Sequence, residues 1–168
     1  MSAYAIRSEI PADAASVRAL IDAAFANAPY ASGTEAAILD RLRTDGDLAI
    51  ALVAAGKDAI LGQVAFSPAQ AGGEAGWLAL GPVAVAPSWQ RRGVGHALIT
   101  EGLAQVRAAG ARGVVLIGDP AYYGRFGFRG DQGLTYGAVP PPYVQALSFG
   151  APVPEGPIRY APAFDLAA

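Results

Sequence analysis

The sequence contains no cysteine and a single histidine, His96. Without thiols the chain can form neither disulfides nor thiolate metal sites, and it has no cysteine nucleophile. A zinc site built from several histidines is excluded as well, because such a site needs more than one imidazole. These absences predict chemistry that needs no metal ion.

Charge is also scarce: 12 basic and 14 acidic residues give 168 residues a formal net charge of −2. A balance this close to zero provides no general basic field to attract nucleic acid or an anionic membrane. Nor does any apolar stretch free of glycine and proline approach the length of a membrane span, and the N-terminus lacks the pattern of a secretion signal. We therefore expect a cytoplasmic protein with neither a nucleic-acid nor a membrane partner, in which any anion is bound at a local site.

The spacing of apolar residues predicts alternating helices and strands. Helical spacing joins Val17 to Phe25 and Ile38 to Leu42, and it continues from His96 to Ala109. The second helix is preceded by Ser32 and Glu35, which have the spacing of a capping box. Extended apolar runs predict strands, which cover residues 4–7, 48–55, 59–67, 77–85, 113–117, 143–149 and 157–160.

This order of elements predicts a single α/β (α+β) domain over residues 1–168, with a mixed central sheet and helices on both faces. Residues 113–117 follow a helix and are expected to pair in parallel with strand 77–85. Gly81 and Pro82 lie within strand 77–85, where proline cannot donate to the ladder and glycine often marks a bulge. We therefore expect the sheet to be interrupted there, and its two central strands to diverge.

A glycine-containing turn joins strand 77–85 to the following helix. Its sequence, Gln90-Arg91-Arg92-Gly93-Val94-Gly95-His96, sets two arginines and two glycines before a helix N-terminus. Unpaired N–H groups and the helix dipole favour anions at such an end, and glycine lets oxygen atoms approach the backbone. The turn is therefore a candidate pyrophosphate site.

Two common phosphate motifs are absent or incomplete. The chain has no G-x-x-x-x-G-K-[ST] sequence, which excludes a P-loop nucleotide hydrolase. A dinucleotide fingerprint needs a small residue where Leu98 stands, because helix and strand approach closely there. A nucleotide-dependent oxidoreductase remains a weaker alternative, kept open by Asp119 at the next strand end.

Three segments in order resemble the Gcn5-related N-acetyltransferase (GNAT) family. Gln90–Gly95 is similar to its acetyl-CoA motif, Q/R-x-x-G-x-G/A, and Leu80–Pro87 resembles the bulged strand before it. Tyr123–Phe128 resembles its later Y-x-x-x-G-F element. Within the family, residues 118–128 and the proline-rich tail look like the YhbS-like branch.

The resemblance implies a set of site residues. Tyr123 matches the general-acid tyrosine, with Tyr122 expected to pack, and Glu35 is a candidate for the general base. Asp119 precedes Tyr123 by four residues, so it is expected to cap a short helix rather than to contact the cofactor. The residues implied to contact acetyl-CoA are Val83, Val85, Gln90, Arg91, Arg92, Gly93, Val94, Gly95 and His96.

The resemblance thus implies an acetyl-CoA-dependent N-acetyltransferase that acts by direct transfer on a small-molecule or peptide amine. The C-terminal strands in residues 131–168 are expected to complete the sheet and the acceptor side, and a homodimer through this tail stays open. The alternative from another class is a non-catalytic domain that binds or senses acyl-CoA. It would keep the glycine turn but lack an acceptor pocket.

Overall fold

The fold is built on an eight-stranded mixed sheet with helices on both faces, as the sequence predicts. The computed structural model describes residues 3–28 and 32–167. Its strands are β1 (Tyr4–Ser8), β2 (Ile50–Gly56), β3 (Ile60–Ala71), β4 (Glu74–Val85), β5 (Gly113–Ile117), β6 (Leu134–Thr135), β7 (Val144–Ser148) and β8 (Gly156–Arg159). Its helices are α1 (Ala14–Phe25), α2 (Glu35–Asp45), α3 (Val94–Ala108) and the single turn α4 (Pro120–Tyr123).

Alternation along the central strands divides the core into two layers. In β3, Val64 and Phe66 pack on the side of α3, whereas Ala65 between them packs on the side of α1 and α2. Successive side chains of a strand point to opposite faces, so one strand can bury residues against both helical layers. The sheet order is β1-β2-β3-β4-β5-β7, with β8 paired to the far end of β3.

A bulge lies in β4 at Gly81 and Pro82. Val64 pairs with Val83 and Phe66 pairs with Leu80, so two residues of β4 stand opposite Ala65 of β3. The expected irregularity is therefore present at these residues: the ladder with β3 is bulged but continues on both sides, and the pairing of β4 with β5 ends at Ala79. The buried side chain of Gln63 donates to the Pro82 carbonyl oxygen at 3.1 Å, which gives that carbonyl a partner.

The strands β4 and β5 pair in parallel and then diverge. Their pairing runs from Trp77 opposite Gly113 to Ala79 opposite Val115. Beyond these residues β4 remains paired with β3, and β5 remains paired with β7. The second edge of β4 from Leu80 to Val85 is therefore left without a neighbouring strand in the described part of the chain.

The helix ends differ slightly from the predicted ones. Helix α3 begins at Val94 rather than His96, because Gly93 already occupies the N-cap position. Helix α2 begins at Glu35, and half of the predicted capping box forms: the Glu35 carboxylate accepts from the Ser32 N–H at 2.9 Å. The predicted cap of α4 is confirmed, because Asp119 Oδ1 accepts from the Ala121 N–H at 2.9 Å.

Strands β7 and β8 confirm the two predicted C-terminal strands. The sequence does not predict β6, because its two residues are too few to show a period. Strand β7 pairs with β5 and forms one edge of the sheet. Strand β8 pairs with the last residues of β3, and β6 pairs with β8.

Candidate functional site

The turn before α3 presents backbone donors. The first helical hydrogen bond runs from the Ala97 N–H to the Gly93 carbonyl at 3.0 Å, so the N–H groups of Val94, Gly95 and His96 precede the ladder. Arg91 has a φ of 61° and Gly93 a φ of 86°. Turns with such left-handed residues can direct successive N–H groups to one concave side, where an anion binds.

These donors open on a groove of about 600 Å³ between the turn, the end of β4 and α4. We refer to it as the turn groove. The structure brings together here eight of the nine residues implied to contact acetyl-CoA: Val83, Val85, Gln90, Arg91, Gly93, Val94, Gly95 and His96. The ninth, Arg92, lies with its guanidinium 4.3 Å from the centre of the Trp89 ring.

The turn groove is electrostatically suited to an anion. Arg91 and Arg125 line it, and its lining within the described residues includes no carboxylate. Arg125 is held in place because its Nε donates to the Tyr122 carbonyl at 2.8 Å and its guanidinium lies 4.5 Å from the Tyr122 ring centre. The positive end of the α3 dipole adds to these two charges.

Gln90 joins the turn to the strand. Its Nε2 donates to the Val85 carbonyl at 3.1 Å, so the side chain holds the end of β4 against the turn. The groove wall therefore consists of a strand edge and a helix N-terminus in one connected unit.

Tyr123 lies at the end of β5, where the two central strands have separated. A Cβ atom added to Gly118 would lie 2.5 Å from the Tyr123 ring, so the missing side chain of this glycine makes room for the tyrosine. The ring also meets Phe128 edge-to-face, with centres 6.0 Å apart. Burial, assisted by the neighbouring Tyr122 and Asp119, raises the pKa of Tyr123 to about 12, and the phenol is protonated at neutral pH.

Tyr122 lines the turn groove, although the sequence analysis treated it as packing. Its hydroxyl faces the glycine turn, because a Cβ atom added to Gly95 would lie 3.2 Å from Tyr122 Oη. Tyr122 and Arg125 are three residues apart, a spacing that sets both on one side of a helical turn. This spacing is the signal that would have assigned Tyr122 to the groove together with Arg125.

Glu35 does not line the turn groove. It borders a separate cavity of about 320 Å³ between α1 and α2, together with Asp22 and Phe25. Its carboxylate accepts hydrogen bonds from the N–H and the hydroxyl of Ser32, an arrangement typical of a helix N-terminus. The structure therefore keeps this candidate base apart from the predicted cofactor contacts.

No cluster of three or more histidine, cysteine, aspartate or glutamate side chains in residues 3–28 and 32–167 is arranged to hold a metal ion. None of the helices in the same ranges is both long enough and apolar enough to cross a membrane.

Comparison with known proteins agrees with the geometry of the turn and the strands. Residues 15–128 match the model of the acetyltransferase (GNAT) family. An uncharacterized N-acetyltransferase of Escherichia coli K12, YhbS, is 40% identical over 125 residues, which cover 73% of this chain and 72% of YhbS.

Solved structures with the same fold include two proteins bound to coenzyme A or its acetyl ester. A GNAT family acetyltransferase from Brucella melitensis, in complex with acetyl-CoA, superposes with a TM-score of 0.86 at 45% identity, covering 96% of this chain and 98% of its own. YhbS from Escherichia coli, in complex with CoA, superposes with a TM-score of 0.86 at 31% identity, covering 98% of this chain and 93% of its own.

Proposed function

Because the chain belongs to the GNAT family of acetyltransferases, we propose that it transfers the acetyl group of acetyl-CoA directly to the amine of an acceptor molecule. The observation that carries the proposal is the turn groove, which joins a helix N-terminus and two arginines to the free edge of β4. The complexes of the Brucella protein with acetyl-CoA and of YhbS with CoA support the same co-substrate for this chain.

The residues present fit such a co-substrate. The N–H groups of Val94, Gly95 and His96, with Arg91 and Arg125, would bind the pyrophosphate. Backbone groups on the unpaired edge of β4, near Val83 and Val85, would pair with the amides of the pantetheine arm. Gln90 serves this site indirectly, because it fixes the strand end to the turn.

Acetyl-CoA supplies an activated thioester, and the protein must protonate the thiolate that leaves. Tyr123 is the proposed donor, since its phenol is protonated and lies where β4 and β5 separate. A free thiol has a pKa near 8.5, about 3.5 units below that of this tyrosine. Burial away from water raises the pKa of Tyr123, and it also raises the pKa of a thiol that leaves beside it. The gap between the two pKa values in the site is therefore smaller than the gap to a free thiol.

Substitution Tyr123→Phe tests the role of the hydroxyl. Loss of a general acid lowers rates by about 10²- to 10⁴-fold, so we expect kcat to fall by about 10²-fold or more while the Kd for acetyl-CoA stays within about twofold. Thiol release and isothermal titration measure the two quantities.

Tyr136→Phe is the matched control, because Tyr136 is a partly exposed tyrosine that packs against Tyr160 and does not line the turn groove. It should leave both kcat and Kd unchanged. A Tyr123→Phe protein with full turnover would remove the general-acid assignment. A wild-type protein that binds acetyl-CoA but acetylates no amine would favour the binding or sensing alternative.

A further inference from the structure

Another cavity opens beyond the end of β5, on a different set of residues from the turn groove. Its volume is about 720 Å³, within the range of small-molecule sites. We refer to it as the β5 cavity. Its lining consists of Ile117, Gly118, Asp119, Val139, Pro140 and Tyr143.

Large apolar side chains are exposed in this cavity. Ile117 is 36% exposed and Tyr143 is 44% exposed. Of the described residues, five large apolar side chains reach this level of exposure, and these two line the same cavity. Apolar surface gathered in a concave site indicates a ligand that buries it.

The walls of the β5 cavity are fixed by backbone hydrogen bonds. The Gly118 N–H donates to the Tyr143 carbonyl at 3.1 Å, and the Tyr143 N–H donates to the Pro140 carbonyl at 3.0 Å. The first bond ties the end of β5 to the segment that carries Tyr143, so the two walls are held at a fixed separation. A ligand therefore meets a site that is already formed.

Gly118 connects this cavity to Tyr123. It lines the β5 cavity, and its backbone lies directly against the Tyr123 ring. Ile117 is paired in register with Val144 of β7, whose buried side chain clusters with that of Val115 in β5. An acceptor in the β5 cavity and a co-substrate in the turn groove would thus meet at the end of β5 from two sides.

Asp119 is the charged residue among the side chains that line the cavity in the described part of the chain. Its Oδ1 accepts from the Ala121 N–H, and its Oδ2 accepts no hydrogen bond from the described residues. A carboxylate at this rim attracts an ammonium group and repels a second carboxylate.

We infer that the β5 cavity binds the acceptor, and that the acceptor is a primary amine with an apolar body and no carboxylate beside the amine. This inference rests on the proposed function. The amine reaches the cavity as an ammonium ion and first loses a proton to solvent. Its nitrogen then forms a bond to the thioester carbonyl carbon, and the carbon–sulfur bond breaks. The thiolate takes the proton of Tyr123, and the amine nitrogen loses its second proton to solvent, from which the Tyr123 phenolate is protonated again. An amide and CoA leave.

Three amines that differ in body and charge test the class. 2-Phenylethylamine has an aromatic body and one ammonium, phenylalanine adds a carboxylate, and 1,4-diaminobutane replaces the aromatic body with a second ammonium. We expect kcat/KM for 2-phenylethylamine to exceed that for each of the others by at least about tenfold, a factor equivalent to about 1.4 kcal/mol. Equal rates for phenylalanine would overturn the assignment of the class.

Substitutions test the cavity. Tyr143→Ala and Ile117→Ala should raise KM for 2-phenylethylamine at least about fivefold and leave the Kd for acetyl-CoA unchanged. Leu166→Ala is the control, because Leu166 is a similarly exposed aliphatic residue, at 43%, outside the cavity lining. Asp119→Asn keeps a side-chain oxygen for the cap and removes the charge. It should therefore reduce the ratio of kcat/KM for 2-phenylethylamine to kcat/KM for phenylalanine.

A binding measurement separates the two proposals. Titration of 2-phenylethylamine into the CoA-bound protein measures the Kd of the amine. This Kd should be higher for the Tyr143→Ala protein than for wild type. If no amine is acetylated but Tyr143→Ala still weakens amine binding, the proposed transfer fails, and the β5 cavity is an amine-binding site but not an acceptor site. If amines are acetylated with the same KM in the Tyr143→Ala protein, the transfer stands and the cavity assignment is overturned.

Discussion

At the scale of single residues, the burial of Tyr123 determines the protonation state of the proposed acid. Its ring fills the space left by Gly118, and it meets Phe128 and Tyr122 edge-to-face. Burial disfavours the phenolate, which raises the pKa of Tyr123 to about 12. The proton is therefore retained over the whole physiological range.

This pKa predicts the alkaline side of the pH profile. A group with a raised pKa keeps its proton until the pH approaches the raised value, so about 1% of Tyr123 is ionised at pH 10. An ordinary tyrosine would be about half ionised there. We expect kcat at saturating amine to rise or stay level between pH 8 and pH 10.

A pH series of initial rates, with thiol release followed at each pH, measures this behaviour. Circular dichroism at each pH controls for unfolding. A fall in kcat with a midpoint near pH 10 would show that the acid titrates as an exposed phenol, contrary to its position in the structure.

At the scale of elements, α3 lines the turn groove at its N-terminus and packs against the sheet further along its length. Gly95 lies at its N-terminus beside Tyr122 Oη, in the turn groove. Gly102 lies two turns later, where an added Cβ atom would fall 2.4 Å from the ring of Phe66 in β3. One glycine therefore serves the groove, and the other serves the contact between helix and sheet.

Substitution at each glycine should change a different quantity. Gly95→Val fills the groove and should weaken acetyl-CoA binding at least about tenfold, with a change of less than about 1 kcal/mol in the free energy of unfolding. Gly102→Ala overpacks the core and should lower that free energy by about 1–3 kcal/mol, with the Kd within about twofold of wild type.

Urea unfolding and titration calorimetry on the two variants measure both quantities, and each variant serves as the control for the other. If Gly95→Val binds acetyl-CoA as tightly as wild type does, the turn groove is not the cofactor site.

At the scale of the whole molecule, ligand binding should raise the stability of the single sheet and its two helical layers together. At a concentration about 100 times Kd, a ligand adds about 2.7 kcal/mol to the free energy of unfolding. For a chain of 168 residues this corresponds to a rise in Tm of about 5–10 °C.

A thermal-shift panel of acetyl-CoA, CoA, ATP and NADH tests this expectation. Acetyl-CoA and CoA should both raise Tm, because the pyrophosphate and the pantetheine arm are common to them. ATP and NADH are the controls for general phosphate binding. A shift with NADH instead would favour the oxidoreductase alternative, in spite of Leu98 in the helix that follows the turn.

Local patterns in the sequence were sufficient for much of the fold. Strand alternation and helical spacing predict the two core layers, because side-chain direction in an element depends on that element alone. The turn before α3 is equally local: its glycines, arginines and helix start lie within seven successive residues. The cap formed by Asp119 is predictable for the same reason.

The tertiary structure alone decided which distant residues meet. The pairing of β4 with β5 ends at Ala79 and Val115. Beyond these residues the two strands separate, which leaves the edge of β4 open beside the turn groove. Packing directs Tyr122 into the turn groove and leaves Glu35 at a different cavity. The β5 cavity likewise depends on the bond between Gly118 and Tyr143, 25 residues apart. Such contacts leave no period in the sequence, because they depend on how whole elements pack rather than on the conformation of each one.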